Sequence, residues 1–456
     1  MSTAGRRACL LLVSLSLAAC TAGNSAPSPY SYELGTIGGF AELVHSGVKT
    51  LALSEVLPAA DMDRLWPEAQ KIAERNQVQL YRESSLLVTD LFPADVARDK
   101  DVLLIYQGHT LDDYLALKAE AQALEKAGAY QGRAREAIAR RFGRLLSYPT
   151  WRVNELLAAQ TTFRTMRDFG LRASNLFLYY RDLDRATAFY RDVLGLELVA
   201  DYRMARILRV AETSYLVLVD ATKGMHTATE PKTVALALLT DQLDEWHAYL
   251  ATKGLAPRRP YSPRPGSAHD GFVIPDPEGY LLEFERFNQH PENERFVPLL
   301  KASRTLRAPG STLPAGLGFK ATITWLYYQD LPPMQTFYEE VLGLRQVVDQ
   351  GWAKIYEGSP TGHVGLVDER RGMHRWTETK AVNVSFLVDD IAGWFDYVKA
   401  CNLFPLRGPA VSDDEQGRYR AFVGYDPEGY FMEFDRFLDH PMNTTLMPYL
   451  NPPPTR

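Results

Sequence analysis

The chain predicts an α+β fold in which one domain is written twice, and three repeated segments predict it. Phe189-Tyr-Arg-Asp-Val-Leu-Gly-Leu196 returns as Phe337-Tyr-Glu-Glu-Val-Leu-Gly-Leu344. Asp276-Pro-Glu-Gly-Tyr-Leu-Leu-Glu-Phe284 returns as Asp426-Pro-Glu-Gly-Tyr-Phe-Met-Glu-Phe434, and Gly224-Met-His226 as Gly372-Met-His374. A repeat this long means two copies of a whole domain, not the short stacked units of a solenoid. The copies occupy 172–295 and 319–445. The linker 296–318 carries Pro309, Gly310, Pro314 and Gly316, residues that break regular structure.

The chain begins with a segment of another kind. Arg6 and Arg7 precede an apolar run, Ala8 to Ala19, that is too short to span a bilayer as a helix. The run ends in Leu17-Ala18-Ala19-Cys20, which looks like a bacterial lipobox. That resemblance implies a signal peptide over 1–19 and lipidation of Cys20. Residues 20–29 are rich in Ser, Ala, Gly and Pro and suit a flexible tether. Thr21 is not the aspartate that commonly retains such proteins at the inner membrane, so the expected location is the outer membrane, facing the periplasm. Cys9 would leave with the signal and Cys20 would carry lipid, so Cys401 would remain alone, with no intrachain disulfide. The net charge of -6 over 456 residues is mild and dispersed, without the basic stripe of a nucleic-acid binder.

Residues 30–168 read as a small α/β region followed by a helical connector. Strands are expected at 48–53, 78–81 and 101–106, with helices at 61–76, 111–126, 133–146 and 153–166. Glu83, Asp90 and His109, near strand ends, read as solvated loop residues. In copy one a strand at 175–181 meets Asp182, whose carboxylate can cap the next helix. Ala186, Phe189, Tyr190, Val193 and Leu194 give that helix one apolar face, and Gly195 ends it. Copy two repeats the face with Met334, Phe337, Tyr338, Val341 and Leu342. Three strands follow, and the second half of each copy repeats the order of strand, helix and strands.

With its FYRDVLGL and DPEGYxxEF signatures, this organisation resembles the vicinal oxygen chelate superfamily, which includes glyoxalase I, extradiol dioxygenases and bleomycin-binding proteins. The resemblance implies paired βαβββ modules that form a cup-shaped sheet, with a ligand or metal in the cup. It also implies metal ligands on the first, sometimes the fourth, the fifth and the eighth strands. Those positions hold Asn175 and Ile323, Leu218 and Leu366, Ala235 and Asn383, and Glu283 and Glu433. One carboxylate per cup is too few for a catalytic zinc or iron site, which takes at least three protein ligands. No metal cofactor is therefore expected.

Strand alternation puts Tyr280, Leu282 and Phe284 on one face and Leu281, Glu283 and Glu285 on the cup face, as it does Phe431, Glu433 and Asp435 in copy two. Glu283 and Glu433 are the candidates for general acid–base work or for orienting a ligand. Asn175, Phe177 and Tyr179 share one face, as do Ile323, Trp325 and Tyr327. These faces give stacking surfaces with phenol donors. His363 replaces Tyr215 in copy two. His290 and His440, each followed by Pro, read as turn clasps. The reading is a membrane-anchored binder of a small apolar or aromatic molecule, without the usual metal. One alternative is a lyase, isomerase or dioxygenase with a rebuilt metal site, drawing on His226, Glu283, His374 and Glu433 and pairing His226 with Glu283. Another is an envelope assembly factor. Cys20→Ser is expected to release the protein from the membrane fraction or leave it unprocessed, as read by fractionation and immunoblotting.

Overall fold

A computed structural model describes residues 30–93, 95–160 and 163–451. The expected signal peptide, the tether and Cys20 lie outside the described residues. No described helix is long and apolar enough to cross a membrane. The chain divides into two units, Met1–Ser147 and Tyr148–Arg456.

In the first unit, strands Leu51–Leu53, Val102–Tyr106 and Gln79–Glu83 form an antiparallel sheet with Val102–Tyr106 in the centre. The central strand is buried along its whole length, which its unbroken Val-Leu-Leu-Ile-Tyr run permits. Helices Ala59–Arg75, Thr110–Lys126 and Gly132–Leu145 fall within two residues of expectation. Helix Ser31–His45 was not anticipated. Gly35, Gly38 and Gly39 lower its propensity, yet Ile37, Ala41 and Val44 recur at helical spacing and are its buried face. Glu83 is a correction. It is buried, not solvated, and accepts from the Tyr114 hydroxyl at 3.0 Å and Lys118 Nζ at 2.8 Å. Asp90 is held by Arg135 at 2.8 Å, and His109 is exposed, with its Nδ1 3.3 Å from Asp112.

The second unit is α+β, with two curved sheets. Each copy supplies two strand–helix–strand modules. The capping carboxylate of Asp182 accepts from the Arg185 amide at 2.9 Å, and Gly195 takes a φ of +70° where the helix ends. A wider turn, Phe189–Val193, precedes that end and recurs at Phe337–Val341.

The sheets do not follow the copies. The eight-stranded sheet sets Leu171–Tyr180, from the first half of copy one, against Val382–Val388, from the second half of copy two. The seven-stranded sheet sets Val234–Leu239 of copy one against Ala321–Tyr328 of copy two. Each sheet is therefore half of one copy joined to the complementary half of the other. The convex faces of both sheets share one apolar core with the helices.

The repeated Asp-Pro-Glu-Gly-Tyr turn explains this pairing. Asp276 Oδ1 accepts from the amides of Glu278 and Tyr280, at 2.9 and 2.8 Å. Its Oδ2 accepts from the hydroxyls of Tyr180 and Tyr190, at 2.7 and 3.0 Å. Tyr280 then crosses to the other copy. Its hydroxyl accepts from the Tyr179 amide at 3.0 Å and donates to the Ala381 carbonyl at 2.7 Å. In copy two, Asp426 and Tyr430 repeat the arrangement, and the Tyr430 hydroxyl donates to the Thr233 carbonyl at 2.8 Å. All these groups are buried, so an orphaned partner would carry its full desolvation cost. Tyr280→Phe or Tyr430→Phe is expected to lower unfolding free energy by about 2–3 kcal/mol, as read from urea denaturation midpoints, because each leaves a buried amide and a buried carbonyl unpaired.

Candidate ligand-binding cups

Side chains on the concave face of each sheet stand in register across the strands. In the eight-stranded sheet, Asn175 pairs with Ser385 and Ser385 with Glu433, with Tyr215 beyond Asn175. The same row in the seven-stranded sheet reads Ile323, Ala237 and Glu283, with His363 beyond Ile323. Two adjacent strands of each row thus carry polar groups in one cup and apolar groups in the other.

The metal-ligand positions hold one carboxylate per cup, and a second, Glu285 or Asp435, stands on the same strand face as the alternation predicts. In the eight-stranded cup, Glu433 accepts from Asn383 Nδ2 at 2.6 Å and Asp435 accepts from Ser385 Oγ at 2.5 Å. Asn383 Oδ1 in turn accepts from the Tyr179 hydroxyl at 2.9 Å. Both polar atoms of the Asn175 side chain are buried and neither makes a well-formed hydrogen bond, although the amide lies close enough to Asp435 to hold that carboxyl down in part. In the seven-stranded cup Ala235 and Ala237 stand where Asn383 and Ser385 would, so Glu283 and Glu285 receive no such bonds.

Burial raises all four carboxyls. Glu283 and Asp435 are pushed up to about 7. Glu285 and Glu433 are likewise raised well above the ordinary glutamate value, by burial first and then by the charge of the neighbouring acid. Arg407 offsets part of this at Glu433.

Phe177, Tyr202, Tyr419, Glu433 and Asp435 line a cavity of about 50 Å³ in the eight-stranded cup. Tyr202 and Tyr419 stack there, with centroids 6.0 Å apart, and Asn175 is buried in the same sheet without lining this cavity. Trp325, Tyr327, Glu283, Glu285 and His269 line one of about 110 Å³ in the other cup. The candidate residues of copy one thus divide between cups. Asn175, Phe177 and Tyr179 join Glu433, whereas Glu283 joins Trp325 and Tyr327. His363 lines neither cavity. It packs edge-on against Phe296 at 4.9 Å, donates through Nδ1 to the Thr322 carbonyl at 3.1 Å, and is pushed down to about 4 by burial.

The pairing of His226 with Glu283 is a further correction. The His226 ring lies 4.4 Å from Phe431 and 4.9 Å from Tyr179, both in the eight-stranded sheet with Glu433. Its Nδ1 is 2.6 Å from Glu230, which clasps the loop by also accepting from the Thr227 amide. His374 lies against Tyr327, on the side of Glu283. Leu218 and Leu366, at the fourth-strand ligand position, face the convex core instead of a cup. His290 and His440 accept the amides of Glu292 and Met442, closing short turns.

Residues 172–284 match the model of the Glyoxalase/Bleomycin resistance protein/Dioxygenase superfamily. That stretch is therefore similar to the domain of this superfamily. Among solved structures, glyoxalase I from Zea mays is 15% identical, over 62% of this chain and 95% of that one, with a TM-score of 0.42. A putative dioxygenase from Bacillus subtilis is 14% identical over 59% and 86%, also at 0.42. A lactoylglutathione lyase from Agrobacterium tumefaciens is 26% identical over 25% and 90%, at 0.22. No curated protein matches.

The glyoxalase-superfamily resemblance implies a metal, and the side chains present do not fit one. Both polar ends of Asn383 are engaged, by Glu433 and by Tyr179. Asn175 stands at the first-strand ligand position in place of an imidazole. No group of three or more His, Cys, Asp or Glu side chains that could hold a metal ion occurs among the described residues.

The raised carboxyls make stability fall as pH rises. Each binds a proton in the folded protein at a pH where the unfolded chain has lost it. The contribution is fully present below the ordinary glutamate value near 4.5 and is lost as pH climbs through about 7. A Glu283→Gln/Glu285→Gln variant is expected to be more stable than the parent at pH 8, by about 1–2 kcal/mol. The gain should vanish near pH 4. Thermal melts across that range read the difference.

Proposed function

We propose that the protein is a lipid-anchored, periplasm-facing receptor for a small molecule, held to the outer membrane through Cys20. In this reading copy two is a second domain of the same superfamily, and the eight-stranded cup is the primary binding site. The observation that carries it is the buried Asn175 amide, neither of whose polar atoms makes a well-formed hydrogen bond, in register with Ser385 and Glu433 and next to Asp435 at a cavity walled by Phe177, Tyr202 and Tyr419. A buried amide without well-formed hydrogen bonds costs free energy that a ligand offering both a donor and an acceptor recovers.

The raised carboxyls beside it favour an uncharged ligand edge, since an anion would meet a carboxylate. A small amide-bearing molecule with an apolar or aromatic body has the right chemistry. The narrow cavity admits the polar edge while the body rests against the tyrosines.

Calorimetric titration with benzamide, and with benzoate as the charged counterpart, tests this. Benzamide is expected to bind more tightly than benzoate at pH 7.5. Asn175→Ile, which installs the residue of the other cup, should weaken binding about tenfold or more. Equal binding by parent and variant would defeat the assignment. One tightly held metal per chain in protein purified without chelator, lost in Glu433→Ala, would favour the metal-dependent enzyme instead.

A further inference from the structure

The seven-stranded cup differs in chemistry from the first and stands independently of it. Glu285 is buried, 2% exposed, and its Oε2 has no hydrogen-bond partner. Glu283, half-buried by its solvent exposure, lies on the same strand face beside Glu285, whose carboxyl its charge helps raise. Asn383 and Ser385 solve this problem in the other cup, where Arg407 also contributes. Arg258 occupies the place of Arg407, each donating its amide to the carbonyl of a cup-strand valine, but Arg258 acts on Tyr327 and His374.

Two other basic side chains are near, and neither hydrogen-bonds the acids, although His269 comes within ion-pair distance of Glu285. His269 Nε2 is 3.9 Å from Glu285 Oε1, beyond hydrogen-bonding reach, and burial pushes its imidazole toward the neutral form. The Arg371 guanidinium stacks on Trp352 at 4.8 Å and makes no ion pair with either glutamate.

The walls are aromatic. Trp325, Tyr327 and Trp352 surround the two acids in a cavity of about 110 Å³. Trp325 is 7% exposed, and its Nε1 donor is buried with no acceptor. The indole lies flat because its strand neighbour is Gly365, where a Cβ would come within 2.0 Å of the ring. The matching pair in copy one is Phe177 beside Val217. A larger ring on one strand thus coincides with a lost side chain on the next.

We propose that the seven-stranded cup binds a small organic ammonium ion that also carries a hydrogen-bond acceptor. Its N–H groups would bond Glu283 and Glu285, its charge would face the aromatic walls, and its acceptor would take the Trp325 N–H. Binding would leave both carboxyls ionised, so protons held by the pair in the empty cup would be released to solvent.

Calorimetry with ethanolamine tests the site on the whole protein, with ethylene glycol as the uncharged control. Ethanolamine is expected to bind one equivalent saturably at pH 7, with an apparent heat that varies with the buffer's ionisation heat as protons leave. Ethylene glycol should not bind. Glu285→Gln should weaken binding about tenfold or more. Trp325→Phe/Gly365→Val, which imports the packing pair of copy one, should weaken it while preserving the melting profile. Asn175→Ile, in the other cup, should leave it unchanged, so the two sites fail or succeed separately. The proposal is overturned by equal binding of ethylene glycol, by undiminished binding in Glu285→Gln, or by no saturable binding at millimolar ethanolamine. Stoichiometric Zn²⁺ or Mn²⁺ held by this cup and lost in Glu285→Gln would overturn it too.

Discussion

A buried aspartate in each Asp-Pro-Glu-Gly-Tyr turn holds the second unit together. Asp276 and Asp426 close their turns with backbone amides and at the same time receive phenols from the first strand. Burial raises both carboxyls, Asp426 to about 6, while the bonds they accept pull the other way. The tyrosine that ends each turn then bonds a carbonyl of the other copy. The repeated motif is thus a joint between copies. Its side chains are occupied with backbone and with one another, which leaves none of them free for chemistry.

The joint decides which residues meet. Because each sheet joins complementary halves of two copies, the cup containing Asn175 takes its acids from copy two. Hydroxyls of Ser174, Thr213, Ser359 and Thr361 make a second seam between the copies. Divergence within one cup therefore needed changes in both copies. Asn175, Asn383 and Ser385 keep the eight-stranded cup polar and its acids bonded. Ile323, Ala235 and Ala237 leave the acids of the seven-stranded cup with aromatic neighbours and little else. Burying unpaired carboxyls is costly unless they take up a proton or a partner, and the two cups meet that cost differently.

Much of the architecture was legible in the residues. The capping Asp182, the helix-ending Gly195 and the alternation of Tyr280, Leu282 and Phe284 against Glu283 and Glu285 fixed elements and faces locally. Helix Ser31–His45 was hidden by its glycines, although the spacing of Ile37, Ala41 and Val44 carried the signal. Glu83 read as a loop residue because nothing nearby in sequence could bond it; Tyr114 and Lys118 arrive from a helix about thirty residues away. Glu285 and Asp435 were visible by alternation as partners of Glu283 and Glu433, which gives each cup a carboxyl pair.

The residues alone determined the duplication, the strand faces and the loss of a first-strand imidazole in both copies. These are local properties, set by spacing and side-chain type. Which copy lends its acids to which cup was decided only in three dimensions, as were the company of His226 and the unsatisfied hydrogen bonding of Asn175, Glu285 and Trp325. Two equivalent copies can close on themselves or on each other with the same local pattern. The long-range bonds of Tyr280 and Tyr430, the hydroxyl seam and the strand register they accompany distinguish those closures.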